Sequence, residues 1–449
     1  MREFNSFYFE SFSFDKQTLK ASFEYSFDEN YFFQEEIDFF SEKFLVRDIL
    51  DDDIINNFLF SLHIALGISY YKSFPTKNLY VKSGFLDSNQ IEFWQKFYKN
   101  GLGEFLYTND IKPQNLFNFI NDSELRHEKI DFEVVEKSFI ALGGGKDSLV
   151  SIDLFRKNNL DYDLVVFGKT DSIKENCARL LKKDIYFIKR KISQNLLDLN
   201  NLGNYNGHVP ITGIIAFCLL FASYIYNYKY IVLSNEKSAN SGNTFWQGLE
   251  INHQWSKSLD FERDFGNYVN DYLSSDIKYF SILRGWYELK IAEYFSKNLK
   301  DFFGVFSSCN NNFKIDENKR LKQTIWCNSC PKCAFVFTIL RPYLTEQEII
   351  SIFGEDLFLK SSIQKTFLEL LGIDGIKPFE CVGEIEEVVL AFYKSLDFYK
   401  GKNSDLLDIF RKNILTKYDK TYFESLEEKF ATISDDDIIP ENIKKLIKN

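Results

Sequence analysis

Of the 449 residues, only 7 are proline and 1 is methionine. The N-terminus, Met1-Arg2-Glu3-Phe4-Asn5, lacks the apolar core of a signal peptide. Cations are also short, since 54 Lys and Arg face 65 Asp and Glu for a formal charge of −11. Nucleic-acid binding needs Lys and Arg to displace phosphate counterions, so the balance argues against a nucleic-acid partner. Long uncharged runs are few. Residues 209–227 form one, but it contains Thr212, Ser223 and two tyrosines and is barely long enough to cross a bilayer. A helix buried against a sheet is the expectation, with no membrane span and a cytoplasmic location. There is no disulfide framework either, because most of the seven cysteines are clustered, as for metal binding. The abundance of Phe, Tyr, Asn, Lys and Ile reflects an AT-rich coding bias and says nothing about function.

What is present begins with Phe139-Ile140-Ala141-Leu142-Gly143-Gly144-Gly145-Lys146-Asp147-Ser148. An apolar strand runs into three glycines and then into a helix start. Glycines let a ligand approach the backbone amides closely. The free N–H groups and dipole of the next helix favour phosphate there. It is not a Walker loop, because no Gly-Lys-Ser/Thr follows a four-residue spacer, and it is not a dinucleotide fingerprint. From Ser138 onward, strands and helices alternate, which predicts a parallel sheet. Strands are expected at 138–142, 163–168, 184–189, 230–234, 278–283 and 302–307, and helices at 147–158, 172–183, 209–227 and 288–298. Ligands bind such sheets beyond the carboxyl ends of the strands. That directs attention to the glycine loop, to Phe167 and Gly168, and to Ser234 through Asn240.

Residues 1–135 read as a separate α+β region with strands at 19–27 and 31–40. An amphipathic helix is expected over 52–71, with His63 in its core, and another over 88–100, followed by a turn at Gly101-Leu102-Gly103-Glu104-Phe105. Residues 136–343 form the α/β region. Residues 344–449 read as helical, with a capping box at Thr345 and a solvated helix face at Glu384-Ile385-Glu386-Glu387.

Cys327-Asn328-Ser329-Cys330-Pro331-Lys332-Cys333, with Cys309 upstream, can wrap one tetrahedral metal. Structural zinc leads, with an iron–sulfur cluster or reduced, even catalytic, thiols as alternatives. Cys177, Cys218 and Cys381 read as inert. His208 stands at the start of the long apolar helix, as a cap or as a substrate contact. The polar segment from Asn252 to Glu262, with His253, Ser256 and Lys257, could recognise an anionic substrate or move a proton.

The string Gly-Gly-Gly-Lys-Asp-Ser resembles the loop of the PP-loop ATP pyrophosphatases, with Gly143 in place of the usual serine. The ordered set of that loop, Asn-Glu-Lys-Ser-Ala-Asn (235–240), Asn-His-Gln-Trp-Ser-Lys-Ser (252–258) and Cys-Pro-Lys-Cys-Ala-Phe-Val-Phe (330–337) resembles the UDP-N-acetylmuramoyl-L-alanyl-L-glutamate epimerase family, known as the MurL family. Gly-Leu-Gly-Glu-Phe near the N-terminus is also similar. The resemblance implies a PP-loop (HUP-type) sheet and an ATP- and Mg²⁺-dependent inversion of the terminal L-Glu of a nucleotide-sugar peptide. AMP and diphosphate would be released.

On that reading Gly143, Gly144, Gly145 and Ser148 hold pyrophosphate, with Phe167 and Gly168 near adenine. Asp147 orients Mg²⁺ and Lys146 neutralises phosphate charge. Glu236, Lys237 and His253 are candidates for proton transfer or glutamyl recognition. His208, Asn235, Ser238, Asn240, Ser256 and Lys257 are substrate-side candidates. The rival expectations are a deazaguanine-nitrile synthase-like enzyme, a tRNA thiolase and an ATP-sensing module. Oligomeric state is not legible.

Overall fold

A computed structural model describes residues 4–169, 171–312 and 324–447. Its centre is a ten-stranded sheet built from β1 (Ser6–Asp15), β2 (Lys20–Phe27), β3 (Tyr31–Asp38), β4 (Asn78–Val81), β5 (Asn118–Asn121), β6 (Val135–Ala141), β7 (Tyr162–Phe167), β8 (Ile185–Lys191), β9 (Tyr228–Leu233) and β12 (Lys278–Ser281). The spatial order is β12-β9-β6-β7-β8-β3-β2-β1-β4-β5. A separate small hairpin pairs β10 (Thr244–Trp246) with β11 (Leu249–Ile251).

Five strands, β12-β9-β6-β7-β8, run parallel. The chain steps outward from β6 through β7 to β8, then returns to the other side of β6 with β9. The reversal leaves a crevice at the carboxyl ends of β6 and β9, where open α/β sheets bind ligands. The N-terminal strands extend this sheet, with β3 pairing antiparallel to β8 through Glu36–Lys191, Ile37–Arg190 and Asp38–Lys189.

The helix Asp52–Tyr71 departs from the amphipathic expectation. Only Asp52, Asp53 and Asn56 are exposed, and every other residue of the helix is buried. It lies between the N-terminal strands and the apolar helix Ile211–Tyr226, so two faces need apolar residues. Among the described residues it alone has the length and hydropathy of a membrane span, yet 94% of that window is buried inside the protein. His63 on it is a core residue. Its Nδ1 meets Ser83 Oγ at 3.0 Å and its Nε2 meets the Glu24 carbonyl at 3.0 Å. Burial depresses its pKa to about 3.

Three further expectations fail. The Gly101–Phe105 turn is instead the junction of two helices, Ser88–Gly101 and Gly103–Thr108. No strand forms over 302–307. A short 3₁₀ turn, Lys300–Phe302, leads into a bent segment whose phenylalanines fill an interhelical core, with Phe306 lying 4.6 Å from Phe295. That segment docks elsewhere, because the Ser307 N–H donates to the Gly144 carbonyl at 2.9 Å. Glu387 is not solvated. It is fully buried, accepting from Ser238 Oγ at 2.6 Å and from the Leu289 N–H at 3.2 Å, and burial lifts its pKa to about 7.

Candidate active site

The glycine loop joins β6 to the helix Lys146–Lys157, and each glycine has a different job. A Cβ on Gly143 would meet nothing within 4 Å, so this position faces open space. Gly144 has φ +83°, and a Cβ there would come within 2.8 Å of Ile173. A Cβ on Gly145 would come within 2.5 Å of Ser308 Oγ. Gly145 caps the helix with no side-chain acceptor, so the amides of the first turn stay available. Ser148 Oγ donates to the Gly145 carbonyl at 3.0 Å and tightens that turn.

A cleft of about 350 Å³ opens beside the loop, lined by Gly143, Gly145, Asp147, Ser148, Phe167, Asn235, Glu236, Lys257, Ser307, Lys332 and Cys381, among others. A larger hollow of about 860 Å³ lies at the amino ends of the same strands, where Lys43, Arg47, Lys137 and Tyr228 line it. It contains neither the glycine loop nor a thiol, so the chemistry is assigned to the smaller cleft.

Buried charge shapes the cleft. Lys146 is fully buried, with its ammonium on Asp147 and Glu288. Desolvation opposes that charge, but the two carboxylates outweigh it and raise the Lys146 pKa. Asp147 is opposed by burial too, yet Lys146 and Lys332 lower its pKa. Glu288 moves upward because it is buried. The Lys146 ammonium thus sits on carboxylates and does not line the cleft, which leaves Lys174, Lys257 and Lys332 as the cations on its wall. With the uncapped helix start and Asp147, this donor set suits a polyphosphate and a divalent cation.

Arg284 holds two parts of the wall together. It is buried against Glu262, with Nη2 to Oε1 at 2.6 Å and Nε to Oε2 at 3.1 Å. The same guanidinium donates to the Glu236 carbonyl at 2.9 Å and the Lys257 carbonyl at 2.6 Å. Its planar fork can satisfy all of these acceptors at once.

The other predicted residues divide clearly. Asn235 and Glu236 line the cleft, and the Glu236 carboxylate makes no hydrogen bond or ion pair with a described residue. Gly168 ends β7 with φ +96°, its N–H on the Ile188 carbonyl, outside the cleft wall. Lys237 lies over the Tyr287 ring at 4.8 Å. Ser238 is committed to Glu387, and Asn240 accepts from the Leu259 N–H at 2.8 Å. Ser256 is buried on the short turn Trp255–Lys257.

His208 and His253 come together, with rings 4.6 Å apart and both Nδ1 atoms on one Glu104 oxygen. Their charges differ. Burial, with positive neighbours, depresses His208 to about 3. For His253 burial also opposes charge, but Cys381 and Glu104 outweigh it and raise its pKa to about 9.

Cys381 is the residue that sequence reasoning missed. Lys257 Nζ donates to its Sγ at 3.1 Å. Burial disfavours the thiolate, yet Lys257, His253 and Lys332 together bring the pKa down to about 5. Glu104 and Glu288 were not singled out as site residues either. Cys381 and Glu288 carry no local motif, and Glu104 lies in the Gly-Leu-Gly-Glu-Phe string with no role assigned to it there; each finds its partners far away in the chain.

The four clustered cysteines do converge. Their sulfurs lie within 4.8 Å of one another, at 3.9 Å for Cys309–Cys330, 3.7 Å for Cys327–Cys333 and 3.5 Å for Cys330–Cys333. A tetrahedron of thiolates about 2.3 Å from one zinc has edges of about 3.8 Å. The set fits a single metal ion.

Family comparison decides the lineage. The family model described as the MurL N-terminal domain matches residues 1–282, and that of the MurL C-terminal domain matches residues 305–423. The chain belongs to the MurL family. Among its curated MurL relatives, the UDP-N-acetyl-alpha-D-muramoyl-L-alanyl-L-glutamate epimerase of Xanthomonas oryzae pv. oryzae is 35% identical over 326 residues, 73% of this chain and 71% of that one. The epimerase of the same name from Salinispora tropica is 33% identical over 402 residues, 87% of this chain and 85% of that one. The first MurL match takes in the glycine loop, the 234–240 segment and His253, and the second takes in the cysteines from Cys309 and also Cys381.

Proposed function

We propose that this chain is an ATP-dependent epimerase that inverts the terminal L-Glu of UDP-MurNAc-L-Ala-L-Glu in peptidoglycan precursor synthesis. The observation that carries the ATP-dependent part is the open, uncapped glycine loop beside three lysines in a chain of net negative charge. Membership of the MurL family, with relatives named as epimerases of this dipeptide, supports the substrate.

The chemistry has a physical logic. A Cα proton beside a free carboxylate is scarcely acidic, because the carbanion would place charge next to charge. Adenylation of the carboxylate removes that charge and provides an acceptor for the enolate. The loop amides and Ser148 would hold the phosphates, with Lys174, Lys257 and Lys332 balancing their charge. Asp147 would hold Mg²⁺, which neutralises phosphate charge when bound. Lys146 and Lys332 keep Asp147 ionised, and Glu288 holds the Lys146 ammonium in place. Cys309, Cys327, Cys330 and Cys333 would hold a structural zinc that fixes the segment carrying Lys332.

The test is turnover in D₂O with ATP, Mg²⁺ and the UDP-muramoyl dipeptide ending in L-Glu. AMP, diphosphate and D-Glu bearing one deuterium at Cα are expected. Folded protein that forms neither AMP nor D-Glu would falsify the proposal. Diphosphate release that needs no dipeptide would point instead to a different PP-loop substrate.

A further inference from the structure

Resting on the epimerase reading above, we infer that Cys381 is the catalytic group that takes the glutamyl Cα proton. Its thiol lies on the wall of the glycine-loop cleft, against Lys257 and His253, with Glu104 behind His253. Several observations converge on this role.

The thiol forms no disulfide and is only partly buried, on the same wall as Asp147, Ser148 and Glu236. Its neighbours come from separate segments, which makes the arrangement a property of the fold. Glu104 occupies His253 Nδ1, leaving Nε2 as the ring's other polar atom. The charged groups acting on Cys381 are Lys257, His253 and Lys332, which favour the thiolate. Glu380 and Lys377 also lie within electrostatic reach. A thiolate at neutral pH is a base ready for a proton.

The proton balance is as follows. The Cα–H bond breaks and its electron pair enters the Cα–C bond, while the carbonyl π pair moves onto oxygen. The proton forms an S–H bond on Cys381. A water molecule then protonates Cα on the opposite face, and the hydroxide left behind takes the S–H proton. The thiolate is restored, one solvent hydrogen is fixed at Cα, and no redox partner is needed. Lys257 stabilises the anionic sulfur before transfer.

The experiment compares wild type, Cys381→Ala and Cys381→Ser for deuterium wash-in at Cα in D₂O with ATP and the dipeptide. Both variants are expected to lose about 100-fold or more of the wash-in rate. A small added thiol should restore part of it to Cys381→Ala. A variant exchanging within tenfold of wild type overturns the inference. So does a glutamyl thioester trapped on Cys381, which would make the sulfur a nucleophile. A second measurement avoids any folding defect in the variants. Wild-type protein is alkylated with iodoacetamide at pH 6, the sites are mapped by mass spectrometry, and the Cys381→Ser protein controls for labelling elsewhere. Labelling of Cys381 should abolish wash-in, and full labelling with unchanged wash-in overturns the inference. Wild type that forms no AMP and no D-Glu fails the epimerase reading itself, which separates the two.

Discussion

Two regions meet in one cleft, and they are encoded differently. The glycine loop is six consecutive residues, Gly143 to Ser148, and the four-cysteine cluster is nearly as compact. The thiol wall draws Glu104, His208, His253, Lys257 and Cys381 from across almost three hundred positions of the sequence. A phosphate cradle needs only a strand, glycines and a helix start, all local properties of the backbone. A stabilised thiolate needs cations brought to a sulfur and water partly removed, which only packing supplies. The contrast among the cysteines is sharp. Spacing exposed the cluster, whereas Cys381 lay among residues with no pattern.

The largest effect is expected at the cysteine cluster. Cys330→Ser should lose the metal and destabilise the protein by on the order of 5 kcal/mol, since metal affinity there is folding energy. Elemental analysis and thermal melting check it, and unchanged zinc with an unchanged melting temperature would remove the metal site from the account. Next comes Arg284→Met, which strands the buried Glu262 carboxylate and releases the Glu236 and Lys257 carbonyls. A loss of about 3–5 kcal/mol is expected in denaturant unfolding. A loss below about 1 kcal/mol would mean that the two walls do not depend on this side chain.

Within the loop the two glycines should separate. Gly144→Ala meets Ile173 at a positive φ and should cost about 1–3 kcal/mol. Gly143→Ala meets nothing and should stay within about 0.5 kcal/mol of wild type. Equal effects would contradict the division of labour assigned to the loop.

The substitution most informative about the thiol wall is Lys257→Met. In wild type the Cys381 thiolate should titrate in at about pH 5, so alkylation rises through that value and is nearly level at neutral pH. The depressed pKa also means that the thiolate's stabilising contribution is complete above the free-thiol pKa and is lost as pH falls through about 5. Removing Lys257 leaves His253, Lys332 and Lys377 as the remaining cations. The alkylation midpoint should move upward, and the rate at pH 6 should fall by about tenfold. An unmoved midpoint would reassign the thiolate to His253 and Lys332.

Much of the fold was legible. The five parallel strands of the α/β region and its principal helices follow from apolar runs that alternate with helical periodicity. The errors share one cause. The 302–307 run is apolar because it fills an interhelical core, and apolarity alone does not distinguish that from a buried strand. Glu387 sits in an acidic string that suggests solvent, yet its carboxylate accepts from the Glu384 N–H at its own helix start and from Ser238 Oγ. The helix Asp52–Tyr71 carries apolar residues on nearly all faces, and two packing neighbours explain it.

By itself the sequence determined the glycine-loop string, the thiol cluster and the strand–helix alternation, because each depends on neighbours a few residues apart. It also carried the family resemblance through the order of its strings. Tertiary structure decided which charges share a cleft. It buried Lys146 between Asp147 and Glu288, set His208 neutral beside a charged His253, and put Lys257 on Cys381. Those outcomes depend on desolvation and on Coulomb interactions over a few ångströms, and neither is written in the spacing of residues along the chain.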